Sequence, residues 1–267
     1  MIKGMEIKEY IAPKTISETY SLLSESKSNK VIAGGAWIKI SFKHVDKLIS
    51  LDNLALDYIK EDNESFVIGA MTTLRAIETH GGLKQLASGI LSQAIGSVMG
   101  INIRNIATIG GSIMGKFAFS DLLGVLLVLD AKLVFFKAGD VSIYDFVEMT
   151  KVPEDILLEI KLKKDNLKGY FKKISKTHLD FAILNIAITK RDNFKIAVGS
   201  RPNIAKLAID TANYLNSQKT IDEETIENAV EIAGNEIKLG DNLRGSKEYR
   251  EVLMKTYLKR GIREVVK

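Results

Sequence analysis

Cysteine is absent from the 267-residue sequence. That absence removes disulfides, thiolate-ligated zinc, a cysteine nucleophile and any cysteine-bound iron–sulfur cluster from this chain. Histidine is scarce: His44, His80 and His178 stand far apart, with neither HxH nor HExxH spacing, so no protein-bound metal is expected. No apolar run approaches the roughly 20 residues that a membrane-spanning helix needs. The longest, Leu122 to Val128, is broken by Gly124 and followed by Asp130. The opening residues MIKGMEIKEYIAPKT lack the apolar stretch and cleavage pattern of a secretory signal, and a cytoplasmic protein is the expectation. A strong charge of one sign is also lacking, since 38 Lys+Arg against 33 Asp+Glu leave a net +5. The denser stretch Lys161–Lys176 has no aromatic interleaving and reads as a solvated face, not a nucleic-acid surface. Redox chemistry in such a chain would need an organic cofactor.

What is present is enough apolar residue (46%) for a substantial core, in one large domain or two medium ones. A short strand at the N-terminus precedes Thr15-Ile-Ser-Glu18, a capping-box pattern for a helix through Thr19–Leu23. Strands are predicted at Lys30–Ala33, Lys47–Leu51, Ser65–Gly69, Lys132–Phe136 and Ile156–Leu162. Helices are predicted after Met71 (capped by Thr72 or Thr73), over Leu83–Met99 and over Asp121–Leu129; Ile101–Ser112 reads as irregular chain with a short strand. Beyond a polar stretch at Asp165–Gly169, alternation predicts antiparallel strands at Tyr170–Ser175, Ala182–Thr189 and Phe194–Ser200. Helices follow at Ile204–Asn216, at Glu223–Ile232 behind the capping box Thr220–Glu223, and at Lys247–Val266 behind Ser246. In the last helix Tyr249, Val252, Leu253, Tyr257, Leu258 and Ile262 form an apolar stripe, read as core.

Two paired-glycine loops carry the candidate chemistry, Ala33-Gly34-Gly35-Ala36-Trp37 and Thr108-Ile109-Gly110-Gly111-Ser112. Glycine pairs after an apolar strand let main-chain N–H groups approach a ligand closely, and several such groups in one concavity suit a pyrophosphate. Neither loop makes the GxGxxG fingerprint of a Rossmann site. Gly110–Lys116 has the GxxxxGK spacing of a nucleotide-binding P-loop, but Phe117 stands where that loop needs Ser or Thr for Mg²⁺.

Jointly these stretches resemble the FAD-binding medium subunits of molybdenum hydroxylases, the family of carbon monoxide, xanthine and related dehydrogenases. Ile103-Arg-Asn-Ile-Ala-Thr-Ile-Gly-Gly-Ser112 followed by Ser120-Asp121-Leu-Leu is similar to that family's central signature. Val31-Ile-Ala-Gly-Gly35, Ile68-Gly-Ala-Met-Thr-Thr73 and Gly245-Ser-Lys-Glu-Tyr-Arg250 resemble three more of its motifs, in the same order. The resemblance implies an α/β (α+β) fold. Residues 1–165 would form an FAD-binding domain of the vanillyl-alcohol-oxidase/p-cresol-methylhydroxylase type, in α/β parts of about 1–52 and 53–165. Residues 166–267 would form a smaller C-terminal domain with an antiparallel sheet and helices.

It also implies non-covalent FAD, with Ala33, Gly34, Gly35, Ala36 and Trp37 along the pyrophosphate and ribityl chain. Thr108, Ile109, Gly110, Gly111 and Ser112 would form the opposing anion loop. Asp121 would sit at the adenosine end, Leu157 against the isoalloxazine, and Lys172 beside the flavin ring, where a cation favours the anionic reduced form. No residue of this chain is implied as an acid or base catalyst. Implied partners are a molybdopterin-binding large subunit and a [2Fe–2S] small subunit, with NAD or a quinone as acceptor. A stand-alone flavin oxidoreductase and a scaffold without flavin are the alternatives. The chain departs from the family pattern at Ala36, at Ser112 and in Gly115-Lys-Phe-Ala-Phe119. There, either Lys116 offsets lost donors or Phe117 and Phe119 crowd the adenine pocket.

Overall fold

In the computed structural model, residues 6–37, 44–201 and 203–267 are described. The chain opens with β1 (Glu6–Ile11), α1 (Ile16–Glu25), β2 (Lys30–Ile32) and β3 (His44–Ser50), a parallel sheet in the order β1-β3-β2. Parallel strands need a crossover connection, and α1 supplies the one from β1 to β2 on the far side of β3. It starts where the capping pattern placed it, with the Thr15 hydroxyl accepting from the Glu18 N–H at 3.2 Å. Central β3 buries Val45, Leu48 and Ile49, whereas edge strand β1 leaves Ile7 and Tyr10 exposed.

A second sheet is antiparallel, ordered β4-β5-β8-β6-β7, from β4 (Ile59–Glu61), β5 (Ser65–Gly69), β6 (Lys132–Phe135), β7 (Gly139–Ser142) and β8 (Leu157–Lys163). Between β5 and β6 lie five short helices: α2 (Leu74–Thr79), α3 (Ile90–Gly96), α4 (Ile101–Ile106), α5 (Ile109–Met114) and α6 (Leu123–Val128). A further helix, α7 (Ile143–Glu148), precedes β8. Every residue of α6 is buried, as a helix with no polar side chain on any face requires.

Two expectations fail in this region. The helix predicted over Leu83–Met99 is broken at Ala87, Ser88 and Gly89, all at positive φ (47°, 58° and 76°), so only Ile90–Gly96 is α-helical. The cause is tertiary. Gly169 lies so close that a Cβ there would stand 2.1 Å from the Ala87 carbonyl oxygen, and its N–H donates to the Ser88 hydroxyl at 3.1 Å. The stretch predicted as irregular, Ile101–Ser112, contains helix α4 and the first turn of α5. Each is six residues long, too short to display a helical period.

The C-terminal part is a four-stranded antiparallel sheet, β12-β11-β10-β9. Its strands are β9 (Lys168–Ile174), β10 (Leu184–Lys190), β11 (Phe194–Gly199) and β12 (Lys206–Leu207). Three helices cover it: α8 (Ile209–Ser217), α9 (Glu223–Glu236) and α10 (Lys247–Val266). The first begins five residues later than predicted, because Lys206–Leu207 pairs with β11. The second is capped by Asp222, which accepts from the Thr225 N–H at 2.8 Å, and not by Thr220. On α10 the buried face is Arg250, Met254, Leu258, Gly261, Ile262 and Val265. Tyr249 and Val252 of the predicted stripe are exposed at 48% and 62%. The stripe was misplaced because Arg250 is wholly buried, donating to the carbonyls of Ile183, Gly240 and Gly245 and to Asn242 Oδ1.

Strand alternation gives this sheet two different faces. Leu184, Ile186, Ile188, Phe194, Ile196 and Val198 point to the helices and fill one core. Phe171, Ala187 and Ala197 point the other way and join the core of the N-terminal part. On the same face Thr189 donates to the Val128 carbonyl at 2.9 Å, and a β-carbon at Gly124 of α6 would lie in ordinary van der Waals contact with Asn185 and Ala197. Small side chains on this face are what let α6 lie against the sheet.

Candidate functional site

The two glycines after β2 are needed for different reasons. Gly34 packs against main chain: a Cβ there would stand 1.5 Å from the Ile106 carbonyl oxygen. Gly35 has φ +69°, the left-handed region where a side chain is strained. Together they turn the chain sharply after Ile32. The N–H groups of Gly34, Gly35 and Ala36 find no acceptor among the described residues.

The second glycine segment is built differently from the expected N–H cradle. Thr108 caps α5, its hydroxyl accepting from Gly111 N–H at 3.1 Å. The N–H groups of Ile109, Gly110 and Ser112 donate to the carbonyls of Thr72, Ala70 and Thr108, and the Ser112 hydroxyl also donates to Thr108. These donors are therefore committed within the protein. What Gly110 provides is proximity, since a Cβ there would stand 2.6 Å from the Ala70 carbonyl oxygen. The Thr108 hydroxyl keeps its own proton to donate.

These segments meet at one cavity of about 470 Å³, within the range usual for small-molecule sites. Its wall includes Ala33, Gly34, Gly35, Ala36 and Trp37 from one side, and Thr108, Gly110, Gly111 and Ser112 from the other. Leu157 lines the same cavity, whose wall also includes the apolar Leu23, Val31, Ile32, Val152 and Pro153. Asp155 is fixed beside Leu157 by its carboxylate, which accepts from the N–H groups of Lys137, Ala138 and Ile156. Ile109, Asp121 and Lys172 are not on the wall. Ile109 is fully buried in the core. Lys116 turns away, donating to the Met149 carbonyl and lying 5.4 Å from the Phe146 ring centroid, so it does not replace the donors missing at Ala36 and Ser112.

Asp121 lies instead where the N-terminal part meets the C-terminal sheet. Its Oδ2 is 3.0 Å from Lys173 Nζ, with both side chains almost wholly buried, and its Oδ1 accepts from Asn185 Nδ2 at 3.0 Å. Lys173 also donates to the Ser97 carbonyl at 2.7 Å. Burial pushes the Asp121 carboxyl above its ordinary value, while Lys173 and Asn185 pull it down. Ser120, not Asp121, accepts from the N–H groups at the start of α6, at 3.3 Å. Lys172 occupies the opposite face of β9, with Nζ 5.9 Å from the Tyr257 ring centroid on α10. Lys173 and Asn185 were not singled out from the sequence. Alternation along Tyr170–Ser175 says that Lys172 and Lys173 oppose each other, but which one faces the N-terminal part depends on packing.

Above this ion pair, Trp37, Phe117, Phe119 and Phe181 form one aromatic cluster. The Trp37 ring is 5.9, 5.7 and 5.6 Å from the other three in that order. Phe117 and Phe119 stack at 5.0 Å, Phe119 and Phe181 meet at 4.3 Å, and the Arg244 guanidinium lies 4.9 Å from the Phe181 ring. Main-chain donors at a glycine turn and a cavity of this size beside them suit a diphosphate carrying a planar ring system.

Comparison with known proteins gives the same outline. Residues 5–162 match the family described as the FAD binding domain in molybdopterin dehydrogenase, and residues 169–265 match the CO dehydrogenase flavoprotein C-terminal domain. The chain is 30% identical to the uncharacterized protein YgfM of Escherichia coli (strain K12) over 253 residues, 92% of each. It is 32% identical to the nicotinate dehydrogenase FAD-subunit of Eubacterium barkeri over 133 residues, 47% of this chain and 45% of that one. Its fold matches a chain of the Hydrogenophaga pseudoflava carbon monoxide dehydrogenase with a TM-score of 0.90, at 23% identity and covering 99% and 98% of the two chains.

Proposed function

The chain belongs to the FAD-binding family of the molybdopterin dehydrogenases, and from that membership we propose that it is the flavin-carrying electron-transfer subunit of a multi-subunit molybdenum hydroxylase. The observation that carries this reading is the convergence of both glycine segments on one cavity. The N–H groups of Gly34, Gly35 and Ala36 hold the diphosphate, with the Thr108 hydroxyl as a further donor. Ser112 and Gly111 shape the opposite wall. Asp121 and Lys173, 3.0 Å apart, serve the same end of the cofactor. That is the flavin end, because a cation there stabilises the negative charge that flavin gains on reduction. The apolar slot beside Leu157 takes the adenine. This reverses the two ends expected from the resemblance and moves the lysine's role from Lys172 to Lys173.

When bound, FAD supplies two-electron storage between a one-electron donor, the partner [2Fe–2S] subunit, and an acceptor such as NAD or a quinone. The protein's share is binding, orientation and charge. A chain without cysteine cannot hold the cluster itself, which supports placing it on a separate subunit, alongside a molybdopterin-binding large subunit.

The test is equilibrium binding of FAD to the purified full chain, read from the visible absorption of the retained flavin. Saturable binding is expected, and Gly35→Val should weaken it roughly tenfold or more, because valine is strained at positive φ. A correctly folded chain that takes up no flavin at saturating FAD would sink the proposal.

A further inference from the structure

A further, much smaller cavity is lined by both Asp121 and Lys173. Trp37, Ser112 and Phe117 border both cavities, and Phe119 and Phe181 wall the smaller one. Its volume is about 40 Å³, room for about one water and no ring system. Yet its floor carries the buried charges of Asp121 and Lys173, polar groups of the kind that orient a ligand. The space between the diphosphate loop and that floor is filled by side chains from three separate parts of the chain. Trp37 follows β2, Phe117 and Phe119 lie between α5 and α6, and Phe181 lies between β9 and β10. Phe119 touches Trp37, Phe117 and Phe181, so it ties the cluster together.

We infer that this aromatic cluster is a plug over the flavin-ring position, so that FAD binds only when Trp37, Phe117 and Phe119 part. The inference rests on the FAD reading above. On that reading an adenine diphosphate would take the larger cavity and leave the cluster in place, whereas the flavin ring would have to displace it. The apparent affinity for FAD is then reduced by the fraction of time the plug is closed, and any change that loosens the plug tightens binding. Trp37 is the only tryptophan, so all tryptophan emission comes from within the cluster.

The experiment titrates the full chain and its Phe119→Ala variant with FAD and, separately, with ADP, following Trp37 emission and bound ligand. In the wild type, FAD changes Trp37 emission and ADP does not. In Phe119→Ala, FAD binds about tenfold tighter or more and associates faster, with ADP affinity unchanged. Weaker or unchanged FAD binding in the variant overturns the plug and makes Phe119 a stacking platform or a bystander. A parallel gain for ADP overturns it too, since the cluster would then lie over the adenine. If neither folded protein binds FAD, the flavin reading itself fails. Should Phe119→Ala not fold by circular dichroism, Phe117→Leu carries the same comparison.

Discussion

Replacing Gly34 with alanine is expected to cost the fold about 3 kcal/mol or more and to lower FAD affinity at least about tenfold. A β-carbon at this position would stand 1.5 Å from the Ile106 carbonyl oxygen and 2.6 Å from its carbonyl carbon. Both are main-chain atoms, so no side-chain rotation relieves the clash. The turn after β2 and the α4–α5 junction must move apart, which also spreads the two walls of the cavity. Gly111→Ala is the matched control. Its β-carbon would stand 3.1 Å from Thr108 Oγ1, in the first turn of α5 where alanine is a better helix former. Its stability should stay within about 0.5 kcal/mol of wild type. Chemical denaturation of both variants, with flavin content measured alongside, decides the matter: equal midpoints would show that Gly34 is a simple turn residue.

Lys173→Met should cost about 3–5 kcal/mol, because it leaves the Asp121 carboxylate buried without its counter-ion. The loss is pH-dependent with a definite sign. Burial already holds the Asp121 carboxyl above its ordinary value of 3.8, and Lys173 is the chief influence drawing it back down. Without Lys173 the carboxyl rises further, so on acidification the folded variant takes up a proton before the unfolded chain does. Stability of the variant therefore recovers as pH falls through the raised folded value toward 3.8, and is lost again as pH rises. Urea denaturation of wild type and variant at about pH 7 and about pH 5 should show the gap narrowing at the lower pH. Adding Asp121→Leu to Lys173→Met should restore much of the loss, since the stranded charge is then gone. A gap that stays constant with pH, and a double variant no better than the single one, would mean the pair is not the buried contact described.

Most strands were legible because alternation and flanking turns do not depend on distant packing. Ser65–Gly69 and the start of α10 at Ser246 fall where the sequence put them. The glycine segment at 108–112 was misread because a glycine pair after apolar residues suggests a turn, whereas Thr108 makes it the start of a helix. The available signal was Thr108 itself, a favourable cap three residues before Gly111. The break at Ala87–Gly89 was not legible, because its cause, Gly169, lies 80 residues further along and reaches it only through the folded sheet. The same reason hides Lys173. Two adjacent lysines on a strand are interchangeable until the sheet has chosen which face meets α6. At the cavity, the participating loops could be named from their residues. Which of their N–H groups remain uncommitted is a property of hydrogen bonding that only coordinates supply.

The C-terminal sheet serves two interiors at once, its isoleucines one and its alanines, with Phe171, the other. Residues 164–167 therefore join the two parts of the chain without dividing it into autonomous pieces. Peeling the sheet from α6 would strip Leu123–Val128 of cover, and neither remainder would keep a sealed interior. Melting is therefore expected as one concerted transition, with a proteolytic cut in that connection releasing no stably folded fragment.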